Sequence, residues 1–399
     1  MNTQNTPVHI KLWHRDFWLL VVANLLLTMS VYVLLPVFPQ WLITTQNFSP
    51  EETGLLMGAF GLGLYLLGSQ CSWLVQRYRR NVVCMWAVIA LALNVALLWY
   101  IDGLRSEFVE FWVVLLHRVV LGATFGLAQM VLSSTLIIDT CESYQRTEAN
   151  YSASWFARFA LSLGPLTGLV VYRLGDYGGL LSGYGGFCGV LWISIGCAVL
   201  AVLFIKLVTF PFRSPEENVH VASLDRFLLP QGHVLFVNLL LVSTVMGLLL
   251  SLPLTMLFYG LMMAGFLLAL LAQRFVFRDA ELKSEVVSGQ ILLIAALLIL
   301  LGHPASPVAP VLVGLGMGII SARFLLFFIK LSRHCKRGTS QSTFFLGWET
   351  GIALGLAIGY GLLYGQYAIL LYTGLGLVVL SLLMYHAYTH AWFIRNKNR

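Results

Sequence analysis

Charged side chains are scarce in this chain. Asp, Glu, Lys and Arg make up 10% of its 399 residues, against roughly 25% in soluble domains. With 59% of residues hydrophobic, there is too little charge to cover a water-exposed surface, which excludes a soluble globular fold. Acidic residues are the scarcer kind, 17 against 24 basic, for a net charge of +7. That excess does not mark a nucleic-acid surface. The basic residues fall in short clusters between apolar runs, which is topological information rather than a binding stripe. Close cysteine pairs are also missing. Cys71, Cys84, Cys141, Cys188, Cys197 and Cys335 are scattered, so neither a disulfide framework nor a metal-ligand spacing is expected. The polar N-terminal stretch lacks a short apolar segment with a cleavage site, so no removable signal peptide is expected. Paired carboxylates, a nucleophile–base pair and a nucleotide-binding loop are likewise not evident, and the expectation is no enzyme, no cofactor and no metal.

What is present is a series of long apolar runs. A membrane-crossing helix needs roughly 20 such residues, and twelve segments fit: 17–43, 54–76, 82–101, 110–137, 149–172, 184–208, 233–252, 255–276, 285–302, 308–331, 341–363 and 367–389. Only Ser251 to Leu254 separates the seventh from the eighth. The longest polar connector, 211–232, carries Arg213, Glu216, Glu217, Asp225 and Arg226. It divides a six-span bundle, 1–210, from a second, 233–399. With both termini inside, 19 of the 24 Lys and Arg fall on inner loops, helix ends and tails, and only Arg105 and Arg173 on outer loops. The positive-inside rule therefore predicts cytoplasmic termini.

The two halves repeat one another weakly. Gly164 and Gly168 recur at Gly355 and Gly359, an offset of 191 residues, and the same offset takes Arg158 to Glu349. Gly122 and Gly126 recur at Gly314 and Gly318, and Gln76-Arg77-Tyr78 recurs as Gln273-Arg274-Phe275. Internal symmetry at half the chain length, in so apolar a sequence, is the mark of a transporter built from repeats. The expected fold is all-α and integral to the membrane, with twelve transmembrane helices in two pseudo-symmetric six-helix bundles.

Two local strings carry a family resemblance. In span 4, Arg118-x-x-x-Gly122-x-x-x-Gly126 is similar to the span-4 motif of the major facilitator superfamily. In span 5, Gly164-Pro165-Leu166-Thr167-Gly168 resembles the Gly-Pro-x-x-Gly of its antiporter branch. The resemblance implies a proton-coupled exporter in which spans 1, 2, 4, 5, 7, 8, 10 and 11 surround the cavity and 3, 6, 9 and 12 are scaffold. The loop between spans 2 and 3 departs from the family pattern. It reads Gln76-Arg77-Tyr78-Arg79-Arg80, so Arg77, Arg79 and Arg80 supply the basic half of the motif while Gln76 takes the acidic place, and Ser72 stands where Gly is usual.

Charges inside spans are the first candidates for mechanism, since each costs several kcal/mol at the bilayer centre unless paired or wet. They are Arg118, Arg158, Arg323 and Glu349, all on cavity spans by the resemblance. At ~1.5 Å per residue, Arg158, Arg323 and Glu349 share one layer, and Arg118 lies nearer the outside. Two readings of Glu349 follow. It forms an ion pair with Arg323 or Arg158, or it binds a proton as an Arg approaches and withdraws, since burial favours a neutral carboxyl and a guanidinium a charged one. Trp155 and Trp348 lie beside these charges and are expected to line the cavity. Asn24, Gln129, His117 and Asn238 are lesser candidates, each as ready to bond a neighbouring helix. Asp139 and Glu142 are expected to cap or pair with Arg146. The glycines let helices approach closely, Pro165 weakens its helix locally, and Pro36 and Pro39 end span 1. Trp13, Trp18, Trp41, Trp99, Trp112, Tyr388 and Trp392 read as interface anchors.

Three intramembrane Arg against one Glu give a cavity charge of about +2, which favours carboxylate or phosphate. The expectation is a monomeric exporter in the bacterial inner membrane, moving a small anionic, zwitterionic or amphiphilic compound against a proton gradient. Its partners are that substrate and the lipid bilayer. Proton symport for uptake, export of lipophilic cations, and a non-transporting receptor or scaffold remain as alternatives.

Overall fold

The structure, a computed structural model, describes residues 11–103, 110–175, 185–210, 220–277, 281–333 and 336–398. Arg105, Arg213, Glu216, Glu217, Arg278, Cys335 and Arg399 lie outside the described residues. The described residues form helices and no strands. Ten helical segments are each long and apolar enough to cross a bilayer, and a bent pair makes an eleventh. The twelfth, α14 (Arg337–Gly361), spans 25 residues; its polar early turns and Glu349 dilute its hydropathy.

Two spans are broken where one continuous helix was expected. Span 1 is α1 (Arg15–Tyr32) followed, after a turn, by α2 (Phe38–Thr44). Pro36 lacks the N–H needed to continue the helix, and Pro39 suits the first turn of the next one. Span 2 is α3 (Pro50–Leu66) and α4 (Cys71–Arg77), bent by 48°. Ser49 and Glu52 cap the start of α3 reciprocally, a capping box. The remaining first-half spans are α5 (Arg80–Asp102), α6 (Phe111–Val131), α8 (Arg146–Leu174) and α9 (Gly186–Lys206). Between α6 and α8, a π-helical turn at Leu132–Leu136 and the short α7 (Ile137–Asp139) extend span 4. Pro165 lies inside an unbroken α8, so the expected weak point does not interrupt the helix.

The second half comprises α10 (His233–Leu250), α11 (Met256–Phe275), α12 (Leu282–Gly302), α13 (Val308–Leu331), α14 and α15 (Tyr367–Met384), which continues into α16 (His390–Asn396). The close seventh and eighth spans separate cleanly, because the Thr255 hydroxyl accepts from Phe258 N at 3.2 Å and starts α11.

Repeated glycine contacts show the symmetry. A Cβ on Gly122 would lie 2.2 Å from the Phe60 carbonyl oxygen, and one on Gly314 would lie 2.1 Å from that of Met262. Backbone therefore meets backbone between α3 and α6 and again between α11 and α13, a contact only glycine permits. Gly126 packs on Leu64, Gly164 and Gly168 on Tyr32 and Val33, Gly355 on Thr244 and Gly247, and Gly359 on Ser251. The seventh and tenth spans are deeply buried, at 72% and 78%, and so is α14, with 18 of its 25 residues buried. The last span buries only 28%.

Of the aromatic residues expected to anchor the interface, Trp13, Trp18, Trp99, Trp112 and Tyr388 are exposed. Trp41 is not: it is buried, donates to Asp102 Oδ1 at 2.6 Å and stacks on Phe187. Trp392 is half-buried against His233.

Candidate functional site

Glu349 sits in the middle of α14, 4% exposed. It pairs with neither Arg323 nor Arg158. Its Oε1 accepts a hydrogen bond from the Tyr32 hydroxyl at 2.5 Å. Tyr32 is the last residue of α1, held there because the helix stops ahead of Pro36, and Gly164 packs against its Cβ. The bond joins the first half to the second.

Arg118, expected apart from the other charges, lines the same small cavity as Tyr32 and Glu349. The cavity is about 10 Å³, near the lower limit for one water. The Arg118 guanidinium lies over the rings of Phe38 and Phe60, at 4.9 and 5.1 Å, and its Nε donates to Leu56 O at 3.3 Å. Ring faces partly replace the missing counter-charge.

Arg323 belongs to a different place. It forms an ion pair with Glu285 in the first turn of α12, so a buried charge lies on a scaffold span as well. Glu285 stands at the edge of its apolar run and reads from the sequence as a terminal residue, yet it is fully buried. Removing this neutral pair from the balance leaves Arg118 and Arg158 against Glu349.

Arg158 is the unpaired charge. It is 4% exposed, and none of its three guanidinium nitrogens has a hydrogen-bond partner among the described residues. Its guanidinium lies 4.7 Å from the Trp155 ring centre. The Trp155 indole N–H is also unpartnered. Asn150, Ser154, Arg158 and Ser162 recur every four residues along one stripe of α8, and Ser162 donates to Tyr259 O of α11. The stripe therefore faces the second half. Trp348 stacks on Phe344 at 6.2 Å and is buried.

The lesser candidates bond helices together. Asn24 donates to Ala153 O at 3.1 Å and accepts from Gln129 at 2.7 Å. Asn238 bonds Ser381, and His117 bonds Asn94 O. Asp139 is ion-paired with Arg80 of the loop motif. Arg77 lies against the Trp73 ring at 6.0 Å, and Arg79 immediately precedes α5.

One large cavity, about 730 Å³, opens at the face opposite the termini. Pro36, Gln40, Tyr172, Arg173, Tyr360 and Tyr364 are among its walls. Its lining includes Pro36, four residues after Tyr32, and Gly359, ten residues after Glu349. On the terminal face the halves are in contact. A Cβ on Gly338 of α14 would lie 2.6 Å from Ser134 O of the π-helical turn, and Tyr151 of α8 donates to Gln273 of α11.

The sequence pattern of the Major Facilitator Superfamily matches residues 20–307. The chain belongs to that superfamily. Solved transporters of like fold agree. A bacterial homologue of the iron transporter ferroportin, in its outward-facing state, aligns at a TM-score of 0.63 with 15% identity, covering 94% of this chain and 100% of that one. The POT family transporter PepTSo aligns at 0.69 with 12% identity, over 96% and 99%. The human organic anion transporter MFSD10 (TETRAN) aligns at 0.62 with 15% identity, over 93% and 98%. At such identities the likeness speaks for the fold alone. No curated protein matches the sequence. This superfamily comprises membrane transporters, not enzymes, and the vestibule open at one face with contact at the other is one of the states an alternating-access protein passes through.

Sequence reasoning missed Tyr32 and Glu285. A phenol one residue before a helix stop at mid-membrane was a usable signal for the first. For the second, the signal was an acid within the first turn of an apolar run.

Proposed function

We propose that this superfamily member is a proton-coupled exporter of a small anionic, zwitterionic or amphiphilic compound. The halves 1–210 and 233–399 would rock about the connector 211–232. The substrate reading is carried by Arg158, a buried guanidinium with three unpartnered nitrogens facing the other half. An uncompensated charge at such depth is expensive, and a ligand carboxylate or phosphate supplies the missing partner. The vestibule supports the same reading, since Arg173 is the single charged residue on its described walls, which it shares with Tyr172, Tyr360, Tyr364 and Tyr367.

Coupling rests on Glu349. Its hydrogen-bond donor, Tyr32, belongs to the other half, so the proton affinity of the carboxyl depends on whether the halves are together. The outward direction rests on the Gly164-Pro165-x-x-Gly168 string. The basic bias of the terminal face supports cytoplasmic termini, which would set the vestibule on the outside of a bacterial inner membrane.

The test is a thermal-shift screen of purified protein with organic acids, zwitterions and cations, on wild type, Arg158→Ala and Glu349→Gln. Stabilisation by an acid or zwitterion, lost in Arg158→Ala, is expected. Stabilisation by cations that depends on Glu349 would overturn the anion reading. In proteoliposomes, Glu349→Gln is expected to keep substrate exchange and lose accumulation driven by a pH gradient.

A further inference from the structure

Arg146 and Arg337 are themselves 191 residues apart, the offset that relates Arg158 to Glu349. Each is the first residue of its helix, α8 and α14. The repeat brings both to one cavity of about 200 Å³ between the halves on the terminal face. Arg80 and Arg226 line it too, together with Asp139 and Asp225. Both acids are already engaged. Asp139 is ion-paired with Arg80. Asp225 accepts from Ser72 at 3.4 Å and Thr339 at 3.1 Å, and lies 3.8 Å from Arg226 Nε.

Four guanidiniums therefore face two carboxylates around one small space. Burial and then the nearby Arg80 pull Arg226, in the connector, below the usual guanidinium range. The N-termini of α8 and α14, helices of 29 and 25 residues, add the positive ends of their dipoles. Ser134 also lines this cavity. It is 6% exposed, and its hydroxyl has no hydrogen-bond partner among the described residues. The Nε of Arg146 is likewise buried and unpartnered.

The geometry points to an anion site where the two repeats meet on the terminal face, taking a phosphate group between Arg146 of one half and Arg337 of the other. Donors converging from several directions suit a tetrahedral group with several acceptor oxygens better than a planar carboxylate. The phosphate belongs either to a free anion or to an anionic lipid headgroup. It is distinct from the Arg158 site, which lies ~18 Å further along α8 at 1.5 Å per residue. Bound there, the anion ties the halves together on this face and favours the state closed on that side.

The experiment is thermal unfolding of the full-length purified protein with inorganic phosphate at fixed ionic strength, chloride serving as the balancing salt. A saturable rise in the midpoint on the order of a few degrees is expected, lost in Arg146→Gln and in Arg337→Gln. A parallel arm compares nanodiscs of phosphatidylglycerol with phosphatidylcholine. Stabilisation by the anionic lipid alone, abolished by either substitution, assigns the site to a headgroup. Equal responses in chloride and phosphate, with no difference between lipids, would overturn the proposal, as would variants that respond like wild type. Should an Arg variant fail to fold, Ser134→Ala decides. A phosphate or lipid response weakened about 3- to 10-fold supports the site, as loss of one hydrogen bond would produce, and an unchanged response refutes it.

Discussion

At the scale of single residues, the four intramembrane charges look alike in the sequence and differ in the structure by what they touch. Arg323 has a carboxylate, Arg118 has two aromatic rings and a carbonyl, and Arg158, among the described residues, has the Trp155 ring and no hydrogen-bond partner. They should respond differently to substitution. Glu285→Gln breaks a buried ion pair and is expected to destabilise the protein by about 3–5 kcal/mol, read as a lower unfolding midpoint with substrate selectivity unchanged. Arg158→Ala removes a charge with no partner and is expected to leave stability equal or raised while ligand stabilisation disappears. Tyr32→Phe deletes the hydrogen bond to Glu349, worth about 1.5–3 kcal/mol if the carboxyl is charged. Slower pH-driven transport with ligand binding retained is the expected outcome, measured in proteoliposomes. Residue types and depth were legible in the sequence. Partners were not, because an ion pair depends on how two helices rotate against each other.

At the scale of elements, apolar run length located all twelve spans, since the bilayer itself sets that length. The breaks were harder to read. Pro36 interrupts span 1 while Pro165 sits within an intact α8, and only the packing around each proline distinguishes the two. The bend between α3 and α4 leaves Gly68 against the Phe227 ring, a contact from the distant connector that no local rule foresees. The glycine motifs do read out directly as close approaches. Gly122→Ala would drive a Cβ to 2.2 Å from Phe60 O, and is expected to cost about 1–3 kcal/mol by overpacking. Gly196→Ala, where a Cβ meets nothing within 4 Å, is the control and should leave the unfolding midpoint unchanged or raise it. Thermal unfolding of the pair in one detergent checks the contrast.

At the scale of the whole molecule, two halves enclose a vestibule on one face and touch on the other. A Cβ on Gly338 would lie 3.1 Å from Ser134 Cβ and 2.6 Å from Ser134 O, slightly inside the separation a disulfide spans, so a small parting of the two backbones brings a bridge within reach. The double variant Ser134→Cys with Gly338→Cys is therefore expected to cross-link under oxidant, stop transport and recover on reduction, with the cross-link checked by mass spectrometry. Composition, run length and the 191-residue offset were enough by themselves to determine a membrane protein of twelve helices in two related halves. Those properties follow from the solvent and from gene-level repetition, and neither needs coordinates. Only the tertiary structure decided that Glu349 meets Tyr32, that Arg323 is neutralised by Glu285, that Arg158 finds no hydrogen-bond partner among the described residues, and that Arg146 and Arg337 converge. Each of these depends on helix rotation and on which face of one half meets the other, set by backbone contacts at glycines far apart in the chain.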